Sequence, residues 1–135
     1  METRRNFVAK IAAGMAATGI ISIPGYSHAS NAPIKDIFVH HVFFWLKEPE
    51  SSDARKQFEQ GLNTLIDIPQ IQSSHIGTPV ESASEVIDDS FSYSLLTFFK
   101  SKEDQDNYET HPIHLKFIQD CQHLWKKVIV YDAKD

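Results

Sequence analysis

The chain has 135 residues, 41% of them hydrophobic and 23% charged, with five Gly, six Pro and a single Cys. Those figures suit one globular domain and exclude a collagen, a disordered tail or a disulfide-stapled miniprotein. The formal charge of −5 is unevenly spread: the first 29 residues carry three Lys or Arg and one acidic residue, leaving a net −7 on the rest, which argues against nucleic acid as a partner.

The N-terminal segment reads as an address rather than as part of the fold. Arg4, Arg5 and Lys10 form a basic head, an uncharged stretch runs from Ile11 to Ile23, and Pro24-Gly25 breaks any helix. The paired arginines, followed by Phe7, resemble a twin-arginine (Tat) export signal, and the middle, diluted by Gly14, Thr18 and Gly19, suits Tat rather than Sec. The apolar stretch is shorter than the ~20 residues of a membrane span. Small residues in Ser27-His28-Ala29 place cleavage after Ala29. Residues 1–29 are therefore expected to be removed, 30–36 to form a short linker and 37–135 the domain, in the periplasm or secreted, with no membrane span in the mature chain.

From Ile37 to Lys47 (IFVHHVFFWLK) the chain is rich in β-branched and aromatic residues and reads as a strand. Phe38, Val42, Phe44 and Leu46 fall on one face and Ile37, Val39, Phe43 and Trp45 on the other, so both faces need cover. A small domain supplies helices for only one of them. Ser52 to Ile66, with Ala54, Phe58, Leu62, Leu65 and Ile66 in a stripe, reads as an amphipathic helix capped by Ser52 and ended by Pro69.

Ile71 to Gly77 is a weaker strand, and the polar stretch from Thr78 to Asp89 a loop. Tyr93 to Lys100 is the third strand. Ser101 to Asp104 has capping-box spacing and opens a short helix. Pro112 at a first helical position opens another, expected over Ile113 to Trp125, and Val128 to Asp132 is the last strand. The order β-α-β-β-α-α-β predicts an α+β, ferredoxin-like antiparallel sheet with helices on one face.

Several of these pieces resemble the stress-responsive A/B barrel (Dabb) family of the dimeric α+β barrel superfamily. They are His40 to Lys47, Ile68-Pro69, Tyr93 to Ser101, the box Tyr-Glu-Thr-His-Pro-Ile-His at 108–114, Trp125, and Val130-Tyr131-Asp132. The resemblance covers nearly all of 36–132 and implies protomers that pair face to face into a dimeric α/β barrel. A homodimer would supply the cover that the second face of the first strand requires.

Within the box, His111 and His114 are i, i+3 neighbours at a helix start. Ile118, Cys121 and Trp125 continue from His114 at helical spacing, which turns His114 toward the sheet. His40 alternates in phase with Val42 and Phe44, which the resemblance assigns to the helix-facing side. The expected ligand cavity is lined by His40, Val42, Phe44, Leu95, His111 and Trp125. Plant polyketide cyclases of the family use the Tyr and second His of this box, which implies Tyr108 and His114 as the catalytic pair. Where those cyclases carry an aromatic on the first helix, this chain has Gly61.

Two function classes follow. One is a cofactor-independent cyclase, lyase or isomerase acting on a small carbonyl or polyketide-like compound: a neutral His takes a proton beside a carbonyl and a phenol donates to the enolate oxygen. The other is a non-catalytic dimeric barrel that binds a small apolar or aromatic ligand or protects against stress, with the box as a structural lock. His40, His111 and His114 could be drawn as a zinc site, but His-x-x-His is tighter than common zinc patterns, and neither metal nor cofactor is expected. Cys121 reads as a packed core thiol.

Overall fold

The first strand, β1 (Phe38–Leu46), alternates strictly between buried and half-buried side chains, as its period-two pattern requires. It is one of the two inner strands of a four-stranded antiparallel sheet with the order β2-β3-β1-β4, formed with β2 (Ser73–Gly77), β3 (Tyr93–Phe99) and β4 (Trp125–Lys134). Three helices complete the fold: α1 (Ser52–Leu65), α2 (Lys102–Thr110) and α3 (Pro112–Cys121), the last followed by a single 3-10 turn at Gln122–Leu124. This computed structural model describes residues 31–135, and residues 33–135 form one unit. The export signal assigned to residues 1–29 lies outside the described residues. Residues 31–36 are exposed and carry no helix or strand.

The even positions of β1, with Leu95 and Phe99 of β3, meet the apolar face of α1, where Ala54, Phe58, Leu62 and Leu65 are all buried. Each such large side chain contributes roughly 1.5–3 kcal/mol by leaving water. The rings of Phe44, Phe58, Phe117 and Trp125 cluster with centroids 5.0 to 6.2 Å apart. Gly61 lets α1 and α3 approach closely: a Cβ there would lie 2.6 Å from Cys121 Sγ. Cys121 is a buried free thiol in this contact, as its place on the apolar stripe suggested.

Some boundaries differ from the sequence expectation. The cap of α1 is Ser51, whose Oγ accepts from the Ala54 N–H at 3.2 Å, not Ser52. The second strand starts at Ser73 rather than Ile71. The last helix stops at Cys121 instead of reaching Trp125, which begins β4, and β4 is twice as long as expected. Ser101 caps α2 as its spacing indicated, accepting from the Asp104 N–H.

The odd positions of β1 line the helix-free side of the sheet. There Phe43 contacts the rings of His41 (4.2 Å), Phe91 (5.0 Å) and Tyr131 (6.1 Å), and Lys127 Nζ sits over Trp45. The β1 side chains here are only half-buried and Tyr131 and Lys127 are exposed, so nothing among the described residues covers this face. No helix among the described residues is long and apolar enough to cross a membrane.

Candidate active site

The helix-facing side of the sheet and the α2–α3 joint enclose a cleft of about 470 Å³. Strand alternation brings His40, Val42 and Phe44 of β1 and Leu95 of β3 to its floor. Trp125, from the first position of β4 rather than from a helix, also lines it. Tyr108 and His114 come from the joint. Among the residues expected from the sequence, only His111 lies away from the lining.

The joint explains both placements. A residue before proline avoids helical backbone, and His111 is extended (φ −64°, ψ 139°). It ends α2 and caps α3 at once: its Nδ1 accepts from the Ile113 N–H at 3.1 Å, so its ring serves the helix start instead of the cleft. The reversal between helices brings Tyr108 and His114 together, with ring centroids 4.7 Å apart and edge to face. Tyr108 also meets His40 at 5.8 Å and Phe99 at 5.1 Å.

His40 is held from both neighbouring strands. Thr97 Oγ1 donates to the His40 carbonyl at 3.0 Å, and His40 Nδ1 lies 2.6 Å from Asp132 Oδ1, across the β1–β4 pair in which these two residues are in register. In the neutral ring the carboxylate fixes the proton on Nδ1 and leaves the lone pair on Nε2. Asp132 was legible only as part of the closing Val130-Tyr131-Asp132 segment. Its role needs the strand register, although its alternation with Val128 and Val130 on β4 is a usable signal.

Electrostatics divides the remaining roles. Burial pushes the His114 pKa below its ordinary value, opposed by the charge and backbone carbonyl of Glu109. Its Nδ1 is buried and has no hydrogen-bond partner among the described residues. Burial, with help from Glu109, pushes the Tyr108 phenol well up. At neutral pH the cleft therefore presents a neutral imidazole beside a protonated phenol, a base and a donor in contact. Glu109 is fixed on the wall by Gln105, whose Nε2 donates to its Oε1 at 2.6 Å. Among the described residues no group of three or more His, Cys, Asp or Glu is arranged to hold a metal ion.

A split βαβ sheet with a histidine- and tyrosine-lined cleft under its helices defines a ferredoxin-like α+β domain. The family model of the stress responsive A/B barrel domain (Dabb) matches residues 38–135, and the chain belongs to that family. Solved structures with the same fold include a hydroxynitrile lyase from Passiflora edulis, 25% identical with a TM-score of 0.63 over 74% of this chain and 94% of that one. A Dabb family protein from Mesorhizobium loti is 22% identical (TM-score 0.61, 73% and 96% covered). A dimeric ferredoxin-like protein from Bacteroides fragilis is 17% identical (TM-score 0.60, 76% and 100% covered). No curated protein matches the chain.

Proposed function

We propose that the cleft is the active site of a cofactor-independent enzyme that moves a proton beside the carbonyl of a small, largely apolar compound, as lyases, cyclases and isomerases do. One observation carries this reading: Tyr108, His114 and the Asp132-oriented His40 converge in a cleft whose remaining lining, Glu109 apart, is apolar. The Tyr108 hydroxyl donates to the carbonyl oxygen while neutral His114 removes the neighbouring proton. The enolate charge collects on the oxygen facing the phenol. The imidazolium then returns its proton to carbon or to a leaving group, which restores the resting state. That one structural neighbour is a hydroxynitrile lyase supports lyase-type chemistry on this scaffold.

Deuterium exchange tests the reading without knowledge of the natural substrate. The α-protons of 2-heptanone in D₂O should exchange faster with the protein than with buffer, and His114→Ala should abolish the excess. Ketone binding without exchange would favour the second reading, a non-catalytic barrel for small ligands or stress protection. The use of His111 as a helix cap supports that second reading, because part of the box then serves the fold.

Two further expectations belong to the same proposal. The uncovered aromatic face of the sheet, together with a neighbour described as dimeric, supports a homodimer that packs these faces into a barrel. Light scattering of residues 30–135 should return twice the protomer mass, and Phe43→Glu should lower it or prevent folding. The arginine-led N-terminal segment supports export to the periplasm or beyond.

A further inference from the structure

The cleft has two unlike ends, and strand register fixes their order. Asp132, Val130 and Val128 of β4 pair in turn with His40, Val42 and Phe44 of β1. The polar groups, His40 with Tyr108 and His114, therefore stand at the Asp132 end. Four residues along the strands, about 13 Å away, the floor has become Phe44, Val128 and Trp125. Val128 and Val130 line the cleft yet remain 37% and 45% exposed, and Leu115 opposite on α3 is 57% exposed. An apolar track thus leads from the polar head toward solvent.

Charge is as one-sided as shape. Among the described residues that line the cleft there is no Lys or Arg, whereas Glu109 is there, and Asp132 stands directly behind His40. An anion entering here would lose its hydration, meet no cation and face a carboxylate.

We propose that the cleft takes an uncharged carbonyl compound with a linear apolar arm, the carbonyl seated at His40, Tyr108 and His114 and the arm laid along Val130 and Val128 toward Trp125, and that it excludes the carboxylate of the same length. This rests on the cleft being the ligand site proposed above.

Titration calorimetry with acetone, 2-pentanone, 2-heptanone and 2-nonanone, beside pentanoate, heptanoate and nonanoate, tests it. Each added methylene in the ketones should tighten Kd by about threefold to fourfold until the track is filled. Each alkanoate should bind weaker than its ketone by about tenfold or more. Val130→Ser, at a position 45% exposed, should flatten the chain-length slope. Glu109→Gln should narrow the gap between ketone and alkanoate. If heptanoate binds as well as 2-heptanone, or the ketone series is flat, this inference is overturned while the cleft stands as the ligand site. If no ketone binds, the ligand-site reading itself falls and takes the inference with it.

Discussion

His40 Nδ1 lies 2.6 Å from Asp132 Oδ1, joining the buried centre of β1 to the edge strand β4 across 92 residues of sequence. The histidine is buried, but the Asp132 side chain is 41% exposed, so the pair adds little to stability after solvent screening. Its consequence is orientation: the carboxylate selects one tautomer and one ring angle beside Tyr108. Asp132→Asn should leave Tm nearly unchanged and lower ketone exchange by about tenfold to a hundredfold, in line with the usual cost of losing such a supporting partner. Nitrogen NMR of the imidazole would show the cause directly, as a mixture of tautomers in the variant. Unchanged tautomer and unchanged rate would remove Asp132 from the site.

Two histidines should make the protein weaker in mild acid. Burial lowers the His41 pKa, and the nearby His75 and His40 lower it further; burial lowers that of His114 as well. A histidine depressed in the folded state binds protons more readily when unfolded, so its contribution is complete above the ordinary value of 6.5 and fades as pH falls below it. Tm should therefore drop between about pH 7 and pH 5, within the range where histidines titrate. His41→Gln should reduce that drop. His41 and His75 flank Leu96 on the helix-free face, so the oligomeric state should follow the same pH dependence if that face is the dimer contact.

The contact between Gly61 and Cys121 yields a change of sign. Alanine in mid-helix is favoured over glycine by about 1 kcal/mol, but a Cβ at 61 lands 2.6 Å from Cys121 Sγ and 3.2 Å from Phe117. Overpacking of this kind costs about 1–3 kcal/mol. Gly61→Ala alone should lower stability in urea unfolding. In a Cys121→Ala background, where the sulfur is gone, the same change should be neutral or stabilising. Equal effects in both backgrounds would show that the two helices part easily.

Much of the fold was legible because its signals are local. The alternation in β1, the capping serine at 101 and Pro112 each act within a few residues. The end of α3 was not legible. Ile118, Cys121 and Trp125 keep helical spacing, and Gln122-His123-Leu124 contains no Gly or Pro, so nothing local marks the 3-10 turn that converts the chain to β4. The site divides in the same way. Tyr108 and His114 are tied together by the Pro112 joint, whereas the Asp132 partnership and the lining role of Val128 and Val130 depend on pairing with a strand some 90 residues earlier. His111 was drawn into the cleft because i, i+3 spacing assumes that both residues are helical, and the residue before proline is not.

Export is tested at the paired arginines. Arg4→Lys with Arg5→Lys should leave precursor in the cytoplasm if the Tat route is used, since lysine keeps the charge but not the guanidinium geometry. N-terminal sequencing of exported protein should start at Ser30. Undisturbed export would point to Sec, and a mature chain beginning at Met1 would exclude a cleaved signal.

His114 and Tyr108 separate the two functional readings. His114 Nδ1 is buried without a partner among the described residues, so replacing the ring removes an unsatisfied polar atom along with its packing against Tyr108. An orphaned polar atom costs about 1–3 kcal/mol, which offsets much of the lost contact. His114→Ala should therefore stay folded, with Tm within a few degrees of the parent, while ketone exchange falls by about 10²–10⁴-fold. Tyr108→Phe keeps the buried ring and its contacts with Phe99 and His40, and deletes only the hydroxyl. It should preserve Tm and lower exchange through loss of the donor to the enolate oxygen. A structural lock gives the opposite pattern, with both variants melting well below the parent and no exchange activity to lose. The ratio of rate loss to Tm loss is thus the quantity to measure, and a large Tm loss with a small rate loss would return the box to the fold.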